Sequence, residues 1–141
     1  MDKRIIFLKA LFYVTLILLA IFSLFPGSLS GYLVFGDFAR QPSLADNPFY
    51  EVIDSKYYQI GATINHFIIY FCISLLGFFI YLKNQHFNKI IYTLLFLAII
   101  LEVIQFIVPN RAFEFYDISA NLAGILIAYL IATTYRIWSG K

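Results

Sequence analysis

Four apolar runs occupy most of this chain, each close to the roughly 20 residues that a helix needs to cross lipid hydrocarbon. They extend from about Ile5 to Phe25, Ile60 to Leu82, Ile90 to Val108 and Ile118 to Trp138. Within hydrocarbon every backbone polar group must find a partner inside the protein, which restricts spanning structures to helices and closed barrels. The runs are continuously apolar, whereas barrel strands alternate. The expected fold class is therefore an all-α membrane protein with four transmembrane helices. Composition agrees, since 62% of the 141 residues are hydrophobic and only 13% are charged, against roughly 25% charged in soluble domains. The length fits one domain, residues 1–141.

Lysine and arginine orient the spans, because they concentrate on the cytoplasmic side. Lys3, Arg4, Lys9, Lys83, Lys89, Arg136 and Lys141 fall on one side of alternating spans, and only Arg40, Lys56 and Arg111 fall on the other. Both termini are expected in the cytoplasm. The first run follows a basic start, as a signal peptide does, but signal cores run about 7–15 residues, so it is read as a span. The stretch from Pro26 to Gln59 is then a long outer loop. Within it Asn47-Pro48 resembles a helix N-cap followed by proline at the first helical position, with Glu51 in the first turn, which predicts a short interfacial helix ending near Tyr57-Tyr58.

Several function classes are excluded by what the sequence lacks. A net charge of +2, dispersed along the chain, gives no footprint for nucleic acid. There is no zinc-type cluster, phosphate loop, dinucleotide fingerprint or nucleophile elbow, so no metal and no cofactor are expected. The lone Cys72 excludes an intrachain disulfide and suits a small packing residue.

Against this background Glu102 stands out, as the one charged residue in the run from Ile90 to Val108. A charge near the middle of a span costs on the order of 3 kcal/mol on insertion scales. Gln105 follows on the same helical face, and Arg111, Asp117 and Asn121 follow beyond the span. With alternating spans, Glu102 lies six residues below the outer end of the third run and His66 six residues into the second, each about 9 Å deep at 1.5 Å per residue. Asp117, Asn121, Gly124 and Ala128 share one helical face, and the Gly124/Ala128 pair suits close helix packing. His66, Glu102, Gln105, Arg111, Asp117 and Asn121 therefore form a candidate pocket at the outer boundary. They are also readable as helix fasteners, His66 as a packing histidine and Asp117 as the N-terminal residue of the fourth helix.

In order and spacing these residues resemble the VanZ-like family of small bacterial membrane proteins. Glu102-Val-Ile-Gln105 matches its Glu-x-x-Gln element, Arg111 its loop arginine, and Asp117-Ile-Ser-Ala-Asn121-Leu-Ala-Gly124 its Asp-x-x-x-Asn-x-x-Gly element, while His66-Phe67 corresponds to the histidine opening the second helix. The family often has Asp-Lys four and three residues before that histidine, where this chain has Ala62-Thr63. The resemblance implies a four-helix protein of the bacterial cytoplasmic membrane, related to one associated with low-level resistance to the lipophilic glycopeptide teicoplanin, and it supplies no reaction.

Two functional classes follow. The first is binding of, or protection against, an amphiphile such as a lipid-linked envelope precursor or an acylated antibiotic. There Arg111 would meet phosphate or carboxylate. The second is an envelope enzyme using Glu102 or His66 as general acid/base on a lipid. A purely structural membrane subunit is a further alternative. The expected partners are membrane lipids, and the sequence leaves the oligomeric state open.

Overall fold

The computed structural model describes residues 3–26, 32–33, 36–37, 55–108 and 113–140, with side chains in the second helix described from Thr63 onward. All regular structure among them is helical: α1 (Lys3–Leu24), α2 (Ser55–Ile80), α3 (Phe87–Gln105) and α4 (Phe115–Trp138). Each contains a segment long and apolar enough to cross a membrane. Most of the expected short interfacial helix lies outside the described residues, but Tyr57 and Tyr58, its expected end, belong instead to the start of α2.

The boundaries differ from the apolar runs where polarity and backbone chemistry part company. Phe106, Ile107 and Val108 are as apolar as the residues before them, yet α3 ends at Gln105 and the chain continues as turns. Pro109 supplies the reason, because proline disfavours helical backbone in the preceding residue. The fourth helix begins at Phe115, ahead of the apolar run, after Glu114 in extended conformation. Asp117 is thus a first-turn residue, not the cap. The second helix begins at Ser55, before the apolar stretch. The short turn between α2 and α3 is held in part by the Asn84 side chain, which accepts from the His86 backbone N–H at 2.9 Å.

Helix α4 is the centre of the bundle. Its buried face is Asp117, Ala120, Asn121, Gly124, Ile125, Ala128 and Ala132, and its closest partner is α2. Small residues let the two backbones meet, which is how membrane helices gain packing where lipid offers no hydrophobic drive. A Cβ at Gly124 would sit 2.6 Å from the Phe67 carbonyl oxygen and 2.9 Å from the Phe71 nitrogen. Helix α1 is peripheral. Only Phe12 and Leu19 are buried on it, with the Phe12 ring lying against Gly77 of α2. Its other faces, Phe7 and Ile17 among them, are exposed, as suits lipid-facing positions. The core joins all four helices through Phe12, Tyr70, Phe78, Phe87, Leu94 and Ile125.

Contacts along the helices fix their directions. Residues 63, 66 and 67 of α2 meet 117, 121 and 124 of α4, while Phe78 and Phe79 meet Tyr129 and Tyr135, so α2 and α4 run parallel. Tyr13 of α1 bonds to Tyr81 just past α2, and the Phe78 ring lies tilted against Phe87 at the start of α3, 5.5 Å between centroids. Among the described residues Lys3, Arg4, Lys9, Lys83, Lys89 and Arg136 consequently gather at one end of the bundle, and Glu102, Glu114 and Asp117 at the other, together with Lys56 at the start of α2.

Candidate functional site

The parallel pairing of α2 and α4 brings two polar ladders together at the acidic end. Asp117 lies in the first turn of α4, where the helix dipole favours a carboxylate. It uses both oxygens across the seam: Thr63 donates its hydroxyl to Oδ1 at 2.9 Å, and His66 Nε2 lies 3.3 Å from Oδ2. One turn along, Asn121 Oδ1 is 3.2 Å from His66 Nδ1. Both imidazole nitrogens are therefore engaged. Nε2 faces a carboxylate, and Nδ1 either donates to the amide oxygen or, with the amide turned over, accepts its N–H. Asn121 is 1% exposed and Asp117 8%, so these contacts form inside the bundle.

Helix α3 adds the buried carboxylate. Glu102 is 1% exposed and accepts the backbone N–H of Glu114 through Oε1 at 3.1 Å. The span's most costly side chain thus holds the extended residue from which α4 starts. Glu102 interacts electrostatically with His66, Asp117 and Glu114, and with the buried Tyr70 of α2. Gln105, the last residue of α3, is buried beside it in sequence at 5% exposure. Glu114 stands outside the helices. Burial, then the Asp117 carboxylate, pushes its carboxyl above the ordinary range, and the His66 imidazole opposes this.

Of the residues picked out by sequence, His66, Glu102, Asp117 and Asn121 come together, and Gln105 ends the same helix as Glu102. Arg111 lies outside the described residues, in the connection between α3 and α4. Thr63, Tyr70 and Glu114 also belong to the cluster and were not among the candidates. Thr63 had a legible signal, since it precedes His66 by three residues and so shares its face. Glu114 had none, because its role runs partly through its backbone N–H. Among the described residues no group of three His, Cys, Asp or Glu side chains is arranged to hold a metal.

The sequence profile of the VanZ/LLP1 family matches residues 10–137, from α1 to the end of α4. The chain belongs to the VanZ/LLP1 family. No curated protein and no solved structure matches it. In this VanZ/LLP1 chain the position that is often lysine in the family is Thr63, and its hydroxyl reaches Asp117. A neutral donor therefore stands where a cation would, and His66 remains in the cluster without the Asp-Lys pair. The match over nearly the whole length, with four spanning helices, makes this a multi-pass membrane protein.

Proposed function

We propose that the acidic end of the bundle lies at the outer leaflet of the bacterial cytoplasmic membrane, where the His66–Asp117–Asn121 cluster and Glu102 recognise the head of an amphiphile while its chain lies along the lipid-facing helices. The segregation of charge carries this reading. Of the described lysines and arginines, Lys3, Arg4, Lys9, Lys83, Lys89 and Arg136 are at one end and only Lys56, at the start of α2, is at the other, where the buried Glu102 and Asp117 and the half-buried His66 lie. The positive-inside rule then turns the polar cluster outward. Interhelical polar contacts average only about 0.6 kcal/mol in double-mutant cycles. Fastening alone is a weak return for placing a carboxylate in a span at a cost of about 3 kcal/mol. Arg111 is the candidate partner for phosphate or carboxylate on the ligand, in the connection that Glu102 holds from the Glu114 side.

Binding is the proposed role, and turnover would fall to Glu102 rather than His66. A general base needs a nitrogen or oxygen within reach of the proton it takes, and both nitrogens of His66 are engaged within the protein. The occupant proposed is a lipid-linked envelope precursor or an acylated glycopeptide such as teicoplanin.

The orientation is tested in a Cys72→Ser background by single cysteines at Ser43 and Asn84. A membrane-impermeant thiol reagent applied to intact cells, with any outer membrane permeabilised, is expected to label Ser43→Cys and spare Asn84→Cys. The reverse pattern would place the cluster on the cytoplasmic side. The function is tested by expression in a Gram-positive host lacking a homologue. Tolerance to teicoplanin is expected to rise more than tolerance to vancomycin, because only teicoplanin carries an acyl tail, which partitions at about 0.8 kcal/mol per buried methylene. Arg111→Ala is expected to erase the difference. Equal shifts for both drugs would mean a general change in the wall and would remove the acylated glycopeptide as the occupant.

A further inference from the structure

The basic end carries a second polar arrangement, in the seam between α1 and α2. Lys9 and Tyr13 are four residues apart on α1 and share a face. The Lys9 ammonium sits 5.1 Å from the centroid of the Tyr81 ring, and the Tyr13 and Tyr81 hydroxyls lie 2.9 Å apart. Such a pair holds one of its two hydroxyl hydrogens between the oxygens, and the other is left to donate outward. A phenol is protonated at neutral pH, so the outward hydrogen is available to donate. An ammonium and an outward O–H at one spot form a donor set for a phosphate oxygen.

The surroundings are cationic as well. Lys3 and Arg4 begin α1, Lys83 follows Tyr81 by two residues, and Lys89 and Arg136 lie at the same end. Arg136 is likewise held over a ring, 5.0 Å from the centroid of Phe87. Asp2 and Lys141 lie outside the described residues; the described acidic side chains of the helical bundle are all at its far end. Trp138 and Tyr92, 84% and 71% exposed, add aromatic side chains suited to the head-group level.

We infer that the α1–α2 seam is a binding site for the head group of an anionic phospholipid, with Lys9 and the Tyr13–Tyr81 hydroxyl pair contacting its phosphate. The site sits at the end of the bundle opposite the His66–Asp117 cluster. Charge complementarity selects the occupant: a zwitterionic lipid brings its own cation, which the surrounding lysines and arginines repel, while an anionic head group meets only attraction. The lipid would add to the tie between the peripheral α1 and α2 beside Phe12.

Native mass spectrometry of the full chain, released from nanodiscs of phosphatidylcholine doped with phosphatidylglycerol, tests this. The wild type is expected to retain phosphatidylglycerol in preference to phosphatidylcholine. Lys9→Gln is expected to lower that retention about fivefold, the equivalent of about 1 kcal/mol for a basic residue near an anionic surface. The double variant Tyr13→Phe/Tyr81→Phe keeps the rings and all charges and is also expected to lower it, which decides the matter even where Lys9→Gln folds poorly. Lys89→Gln removes the same charge from the same end, away from the seam, and is expected to leave retention nearly unchanged. An equal loss in Lys89→Gln would reduce the effect to overall charge and overturn the site, as would displacement of the lipid by inorganic phosphate or the absence of any preference between the two lipids.

Discussion

Gly124→Leu is expected to leave little folded protein in the membrane, the largest stability loss of any single substitution considered for this chain. The space at Gly124 is bounded by backbone, the Phe67 carbonyl oxygen and the Phe71 nitrogen, both within 3 Å of where a Cβ would stand. Backbone atoms inside a helix have no alternative rotamer, so α2 and α4 must move apart. Even the single methyl of Gly124→Ala is expected to cost about 1–3 kcal/mol, the usual range for overpacking, and leucine more. Separation of these helices also lengthens the Thr63, His66, Asp117 and Asn121 contacts, which cross the same seam. Gly77→Ala is the matched control. Its Cβ would meet the ring of Phe12 at 2.6 Å, a side chain on the peripheral α1, so a smaller loss is expected. Thermal unfolding in detergent measures all three, and a Gly124→Leu protein as stable as Gly77→Ala would refute the close-packed seam.

Glu102→Gln is expected to accumulate and unfold like the wild type while losing ligand binding by at least about tenfold. The amide keeps an acceptor oxygen for the Glu114 N–H, the contact made at 3.1 Å, so the start of α4 stays held. What disappears is the charge. A hydrogen bond to a charged group is worth about 1.5–3 kcal/mol, which corresponds to about tenfold or more in affinity. The opposite pattern identifies a fastener: removing one member of a buried charged pair leaves the other uncompensated, and stability falls. Normal abundance with full binding would remove Glu102 from the site altogether.

The fold was largely legible because lipid makes a simple demand. Continuous apolar runs near 20 residues have few alternatives to helices, and alternating spans divide the lysines and arginines seven to three. The helix ends were not legible from polarity, since Phe106 to Val108 look like membrane residues and are turned out of the helix before Pro109. The acidic cluster was visible as spacing. Glu102 and Gln105, and Asp117 and Asn121, each lie one turn apart, and His66 sits at matching depth. Which atoms meet was not visible. That Asp117 reaches across to Thr63 and His66 instead of capping its own helix depends on α2 and α4 running parallel at backbone contact, which Gly124 permits and no residue count reveals. Thr63 was read as the loss of a charge pair, whereas its hydroxyl fills the same place on the helix face. Glu114 escaped because its peptide N–H, common to every residue except proline, is what Glu102 holds.

Binding of the two glycopeptides to the purified chain in nanodiscs tests the central claim most directly. Teicoplanin and vancomycin would be titrated against nanodiscs of identical lipid, empty or carrying the wild type, Arg111→Ala or Glu102→Gln. Excess binding of teicoplanin to wild-type nanodiscs over empty ones is expected, with little excess for vancomycin and loss of the excess in both variants. Teicoplanin bound equally by empty and wild-type nanodiscs would show that the tail partitions into lipid alone, and would contradict recognition of this acylated ligand by the cluster.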